Sequence, residues 1–226
     1  MAIAFVQSKS QIGNGTLALA FDAGNISGNA IIVAVAALLN GQTYNVSDSQ
    51  NNTYGHLASF LDSSGGCEIQ IFYGLSIKAG ANTVTFTPGA SVASAIAIHE
   101  FTGLSAFDTS ATASGTGNSQ DSGAATINFA SELLFGLTAG TVSGSIFSLT
   151  NGAGWTLAER SLAGTATVNF LTEWQIVSSP GPYDATSTSS ISKGSAFNWG
   201  TAIAAFAGAA GSVGPSHLQM TTGIGA

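Results

Sequence analysis

The chain has 226 residues, of which only 7% are charged, and its 11 Asp and Glu against 4 Lys and Arg give a formal net charge of −7. Clustered Lys and Arg are what phosphate neutralisation requires, so four scattered cations exclude a nucleic-acid binder. Cys67 is the one cysteine, which excludes an intramolecular disulfide framework and leaves stability to core burial.

Taken in chain order, residues 1–7 carry no basic region and no uninterrupted apolar run, so they do not read as a signal peptide. Alternation over 16–21 predicts a strand. The longest apolar run, 30–39, is well short of the roughly 20 residues of a bilayer span. Its alanines suit a helix, but Gly28-Asn29 before it and Asn40-Gly41 after it are turn chemistry and favour a central strand covered on both faces. The polar segment 46–52 reads as a hairpin turn, and 68–73 and 83–87 alternate as strands. The run 92–101, between Pro88-Gly89 and Thr102-Gly103, is a second central strand, and 132–138 and 199–206 are read the same way. Residues 109–123, rich in Ser, Thr, Gly and Ala, read as a connection. From 207 onward small residues dominate before Pro215, His217 and Met220, too little apolar surface to offset the entropy of ordering alone.

The chain repeats itself at about 100 residues. Thr16-Leu17-Ala18-Leu19 recurs as Thr126-Ile127-Asn128-Phe129, and Ile31-Ile32-Val33 as Leu133-Leu134-Phe135. Tyr54 is answered by Trp155, Tyr73-Gly74 by Trp174-Gln175, Gly80 by Gly181, and Thr85 to Thr87 by Thr186 to Thr188. Ile98, Phe101 and Gly103 match Ile203, Phe206 and Gly208. The apolar skeleton repeats and the ionisable residues do not. The expectation is therefore an all-β antiparallel sandwich of jelly-roll type built from two related halves, 1–108 and 124–208, joined by 109–123 and followed by a C-terminal arm, 209–226. The short connection favours one body over two mobile ones.

Candidate chemistry is sparse. His99-Glu100 is an acid/base pair, but adjacent strand residues point to opposite faces. Asp48 in its Ser/Asn-rich turn offers oxygens to Ca²⁺ without the spacing of an EF-hand. Glu159, Glu173 and Asp184 are candidate carboxylates for glycoside hydrolysis, with Arg160 beside Glu159 as an ion-pair partner instead. Cys67 reads as a buried small hydrophobe. Tyr54, Tyr73, Trp155, Trp174, Tyr183 and Trp199 could stack on sugars, yet the tryptophans fall where the other half has apolar or aromatic residues, as core positions do. No cofactor is expected.

The stretch Val46 to Tyr54, then Ile71-Phe72-Tyr73, residues 78–85 and His99-Glu100-Phe101-Thr102-Gly103-Leu104, resembles β-sandwich modules of bacterial surface proteins and of tailed-phage structural proteins. The resemblance carries turn and core patterns and no catalytic residues. It implies a non-enzymatic structural subunit of a phage virion, a capsid decoration or a tail or fibre component, assembled in the host cytoplasm. Its expected partners are copies of itself and other virion proteins, with no nucleic acid and no membrane. The contacts would come from Met1, Ala2 and Ile3 at one end and Pro215, His217 and Met220 at the other. The alternative is a carbohydrate-binding module that attaches to surface glycans through Trp155, Trp174 and Tyr183.

Overall fold

All eight residues of the strand Ala30–Ala37 are buried, although a strand shows alternate side chains to opposite faces. Such a strand must lie in a sheet covered on both sides. The computed structural model, which describes residues 1–38, 44–163 and 167–209, shows how. The described residues form strands and loops with no helix. Residues 210–226, and with them Pro215, His217 and Met220, lie outside the described residues.

The first part of the chain supplies β1 (Ala4–Asn14), β2 (Leu17–Ala20), β3 (Ala30–Ala37), β4 (Asn45–Asp48), β5 (Gly55–His56), β6 (Phe60–Leu61), β7 (Glu68–Gly74), β8 (Thr83–Thr87) and β9 (Ala93–Thr102). The second supplies β10 (Leu104–Thr116), β11 (Ser119–Asp121), β12 (Ala125–Ile127), β13 (Glu132–Val142), β14 (Ile146–Asn151), β15 (Thr156–Ser161), β16 (Asn169–Val177), β17 (Gly181–Tyr183), β18 (Thr186–Ile191) and β19 (Phe197–Gly208). One large antiparallel sheet runs β1-β9-β3-β7-β5, with β6 also on β7, and the other runs β10-β19-β13-β16-β15. The order is the same in both: each opens on an edge strand whose neighbour is the last strand of its own part. A smaller sheet, β2-β8-β4, covers the outer face of the first, and β11-β18-β14 with β12-β17 covers that of the second.

Four layers result, and the side-chain clusters trace them. Ala30, Ile32, Ala34 and Ala36 of β3 meet Leu133, Phe135, Leu137 and Ala139 of β13 in the interior core between the large sheets. Ile31, Val33 and Val35 face the other way, onto Leu17, Leu19, Val84 and Phe86. Leu134, Ile203 and Ala205 face Ala125, Ile127 and Ala185 in the second outer layer. The interior core is rich in alanine, which lets the large sheets approach closely. At Gly200 they are so near that a Cβ would stand 2.7 Å from Phe60 and 2.8 Å from Ile69 of the first part. The molecule is thus two β-sandwiches packed back to back through their large sheets.

Two aromatic triads close the seam. Phe5 stacks on Trp174 (centroids 5.7 Å, interplanar angle 8°), and Phe101 meets both edge-on. Phe107 stacks on Tyr73 (5.4 Å, 18°), and Phe206 meets both edge-on. Each stack takes one ring from each sandwich, so the packing is reciprocal, as in an isologous interface.

Three expectations are corrected. Residues 109–123 are not a connection, since β10 runs through Thr116 as an edge strand on β19 and β11 follows. The crossing between sandwiches is the single residue Gly103, whose φ of 79° suits glycine and whose Cβ would lie 2.4 Å from the Ala2 carbonyl oxygen. The match of Ile31 to Leu133 is one residue out: Ile31 lies opposite Gly74 and Glu100, and the residue opposite Gln175 and Ala205 is Leu134. The match of 16–19 to 126–129 also fails, because Ala18 lies opposite Thr85 whereas Thr186, the counterpart of Thr85, lies opposite Asp121 in β11.

Candidate functional site: an apolar groove beside both ends of the described chain

The loop between β2 and β3 is anchored from below by one carboxylate. Glu100, fully buried in β9, accepts hydrogen bonds at Oε2 from Gln7 Nε2 (2.7 Å) and Asn25 Nδ2 (2.7 Å), and at Oε1 from the Ile26 N–H (2.8 Å) and Asn29 Nδ2 (2.7 Å). Four neutral donors replace the water a buried carboxylate would otherwise lose. With its backbone fixed, Ile26 stands 56% exposed. Beside it Met1, Val6, Gly28, Asn29 and Thr102 line an apolar groove of about 360 Å³. Thr102 Oγ1 donates to Met1 Sδ at 2.8 Å, and the Ala209 N–H donates to the Gly103 carbonyl at 2.7 Å. The first residues and the last described residue therefore meet at one end of the molecule, next to the groove. Met1 and Ala2 are exposed there, whereas Ile3 is buried in the interior core, against Gly208, and is not a free contact residue.

The same place in the second sandwich is closed. Phe107 pairs with Phe206 as Phe5 does with Phe101, which puts Asp108 where Val6 stands. Ile127 lies opposite Gly181 as Asn25 does opposite Gly80, which puts Asn128 where Ile26 stands. Asp108 accepts the Asn128 N–H and its Nδ2–H, both at 2.9 Å.

The ionisable candidates have structural occupations. His99 and Glu100 do face opposite ways. His99 Nδ1 lies 3.2 Å from the Ile32 carbonyl, which can only accept, so Nδ1 carries the proton and Nε2 accepts from Thr172 Oγ1 at 2.9 Å. Burial holds its pKa down at about 3, against the bond to Ile32, so the ring is neutral and ties the two large sheets together. Glu159 accepts the Ser8 and Ser10 hydroxyls (2.6 and 2.7 Å) across the seam, while Arg160 Nη1 donates to the Leu149 carbonyl (3.0 Å), so these neighbours are not an ion pair. Glu173 points instead to the outer layer, where Oε2 accepts the Gly152 N–H at 2.9 Å and Oε1 has no partner among the described residues. Burial pushes its pKa up to about 7, against the Gly152 bond. Glu159 and Glu173 thus lie on opposite faces of one sheet and cannot flank one glycosidic bond. Asp184 is exposed between β17 and β18.

Asp48 accepts from the Gln50 and Asn52 N–H groups, Asn52 Nδ2, Tyr54 Oη and Asn82 Nδ2. Burial would raise its pKa, but the bonds from Asn52, Asn82 and Tyr54 outweigh it and lower the value. A carboxylate ringed by donors organises a turn, and among the described residues no cluster of metal-binding side chains surrounds it. Cys67 is fully buried, which pushes its thiol pKa up. The sugar-stacking rings are likewise engaged. Trp155 and Trp199 are buried in the second outer layer, Trp174 stacks on Phe5, and Tyr183 packs against the Trp155 cluster while donating to the Ser179 carbonyl at 3.1 Å.

Sequence reasoning missed Val6, Ile26 and Thr102. The available signal was Ile26 itself, a branched apolar residue in the turn-rich stretch 22–29 where no periodic core position falls. Compared with known families, with characterised proteins and with solved structures, the chain matches none.

Proposed function

We propose that the protein is a non-enzymatic structural subunit of a phage virion, a capsid decoration or a tail or fibre component, making repeated contacts with copies of itself and with other virion proteins. On this reading the two sandwiches descend from one jelly-roll unit by duplication, and the charge-poor faces of the four-layer stack serve as bearing surfaces. Contacts built from Ser, Thr, Asn and apolar groups depend little on salt, because little of the attraction is ionic. The observation that carries the reading is the meeting of Ala2, Gly103 and Ala209 at one end of a stiff body.

Light scattering on the full chain over a wide concentration range tests it, beside a chain ended after Ala209, which keeps every described strand. A defined oligomer or larger particle that dissociates on losing 210–226 is expected. A concentration-independent monomer, indifferent to the truncation and failing to attach to virion shells, would sink the proposal.

A further inference from the structure

We infer that residues 109–116 of β10 pair edge to edge with the same residues of a second copy, joining two five-stranded sheets into one across a two-fold axis at Thr112. The inference rests on the self-contact in the proposed function and names the surface that makes it.

The two large sheets end on β1, β5 with β6, β10 and β15, and all but β10 carry a device that blocks further pairing. Strand β1 has Lys9 and a bulge between Phe5 and Gln7, β15 has Glu159, Arg160 and a bulge between Leu157 and Glu159, and β5 and β6 are two residues each. From Thr109 to Thr116, β10 runs in unbroken register on β19 with no charge and no proline. Ser8 and Ser10 of β1 donate to Glu159 across the seam. Ser110 and Thr112, which take their places in the second sandwich, are exposed and make no side-chain hydrogen bond among the described residues.

The polar backbone of this edge is open. The Gly117 N–H donates to the Phe197 carbonyl at 3.0 Å, and bonded pairs recur at every second residue of an antiparallel ladder. Ala111, Ala113 and Gly115 therefore turn their N–H and C=O groups to β19. Ser110, Thr112 and Ser114 turn theirs outward, where no described strand pairs with them.

The residue order selects the partner. Ser110-Ala111-Thr112-Ala113-Ser114 reads the same in both directions. Laid antiparallel on a second copy, it sets Thr112 opposite Thr112, Ala111 opposite Ala113 and Ser110 opposite Ser114, so that like sizes meet, hydroxyls face hydroxyls and no like charges are opposed. Thr112 then exchanges both backbone bonds with its symmetry mate, as an isologous contact requires.

The test uses the full chain with Thr112→Lys or Thr112→Glu, each alone and the two mixed in equal amounts, with mass followed by light scattering at low salt. Thr112 is exposed, so neither change should unfold the protomer, which circular dichroism checks. The parent should be a dimer or a multiple of one. Each variant alone sets like charges face to face and should dimerise at least about tenfold more weakly, and the mixture should recover the parent's affinity. A parent that stays monomeric, variants that pair as the parent does, or a mixture no tighter than its components would overturn the inference. Larger particles built by both variants as readily as by the parent would also overturn it, while leaving the virion reading standing. Pairing that follows the charges in a protein that never attaches to a virion shell would support it while that reading falls.

Discussion

Between its large sheet and its outer layer the first sandwich holds Leu17, Leu19, Val84 and Phe86, part of one continuous apolar cluster. At the corresponding places the second holds Gln120, Ser122, Ala185 and Ser187, all buried. Ser187 Oγ donates to Gln120 Oε1, and Gln120 Nε2 donates to Ser189 Oγ, each at 3.1 Å. Thr138 Oγ1 lies 3.1 Å from the hydroxyls of both Ser187 and Thr201. This network separates the apolar residues into a cluster around Trp155 and another around Trp199. One strand order is therefore compatible with a layer filled by volume and with a layer filled by directional bonds. The seam between the sandwiches, by contrast, is built alike on both sides, triad against triad. What the fold needs in duplicate is the seam, and the outer layers are free to differ.

The largest effect should come from giving the first layer the residue of the second. Phe86→Ser removes a fully buried ring that meets Tyr44 edge-on at 5.2 Å, and leaves an unpaired hydroxyl in its place. A loss of about 4 kcal/mol is expected in urea unfolding. Ser187→Ala, at the matching position, should cost about 1 kcal/mol. Similar losses from both substitutions would show that the two layers are not filled differently.

Glu173 and His99 sharpen the contrast through pH. The carboxyl of Glu173 has its pKa raised from 4.5 to about 7, so its charged form is disfavoured in the fold and stability falls as pH rises between those values. The imidazole of His99 has its pKa lowered from 6.5 to about 3, so stability falls as pH drops through that window. Between pH 4.5 and 6.5 the two largely offset each other. Above pH 7 the glutamate penalty stands alone at about 3 kcal/mol. Glu173→Gln should therefore stabilise by about that amount at pH 8 and by almost nothing at pH 4. It should also unmask the His99 loss as a decline beginning near pH 6.5. A variant whose stability follows the parent's pH dependence would contradict the burial of that carboxylate beside Gly152.

The sequence already carried the four-layer logic in its unbroken apolar runs, because only a strand covered on both faces can be apolar throughout. The same fact hid the register. Where every residue of β3 and all of β13 but Thr141 are buried, alternation vanishes and nothing says which face each side chain takes, so the match of Ile31 to Leu133 slipped by one and reversed the face. Residues 109–116 of strand β10 were illegible for the opposite reason, as an edge segment of Ser, Thr, Ala and Gly that offers no apolar period and resembles a connection. Glu100 and Asp48 read as isolated acids because their donors, Asn25, Asn29, Asn52 and Asn82, come from loops brought together only by folding. Both tryptophans of the second outer layer, however, were legible as core from the positions they share with the first half.

The smallest effect on stability should come from closing the groove as the second sandwich closes its own. Val6→Asp with Ile26→Asn installs the residues of Asp108 and Asn128, whose backbone and side-chain bonds span 2.9 Å. Val6 and Ile26 are 36% and 56% exposed, so little apolar burial is lost and the change in unfolding free energy should stay within about 1 kcal/mol. The seam triads are untouched, but the backbone N–H of residue 26 donates to Glu100 in the parent, so an aspartate at position 6 gains the side-chain bond freely and the backbone bond only at the expense of that anchor. A loss above about 2 kcal/mol would mean that the two sandwiches are not interchangeable at this position, since an Asp-Asn pair that one framework accepts would strain the other.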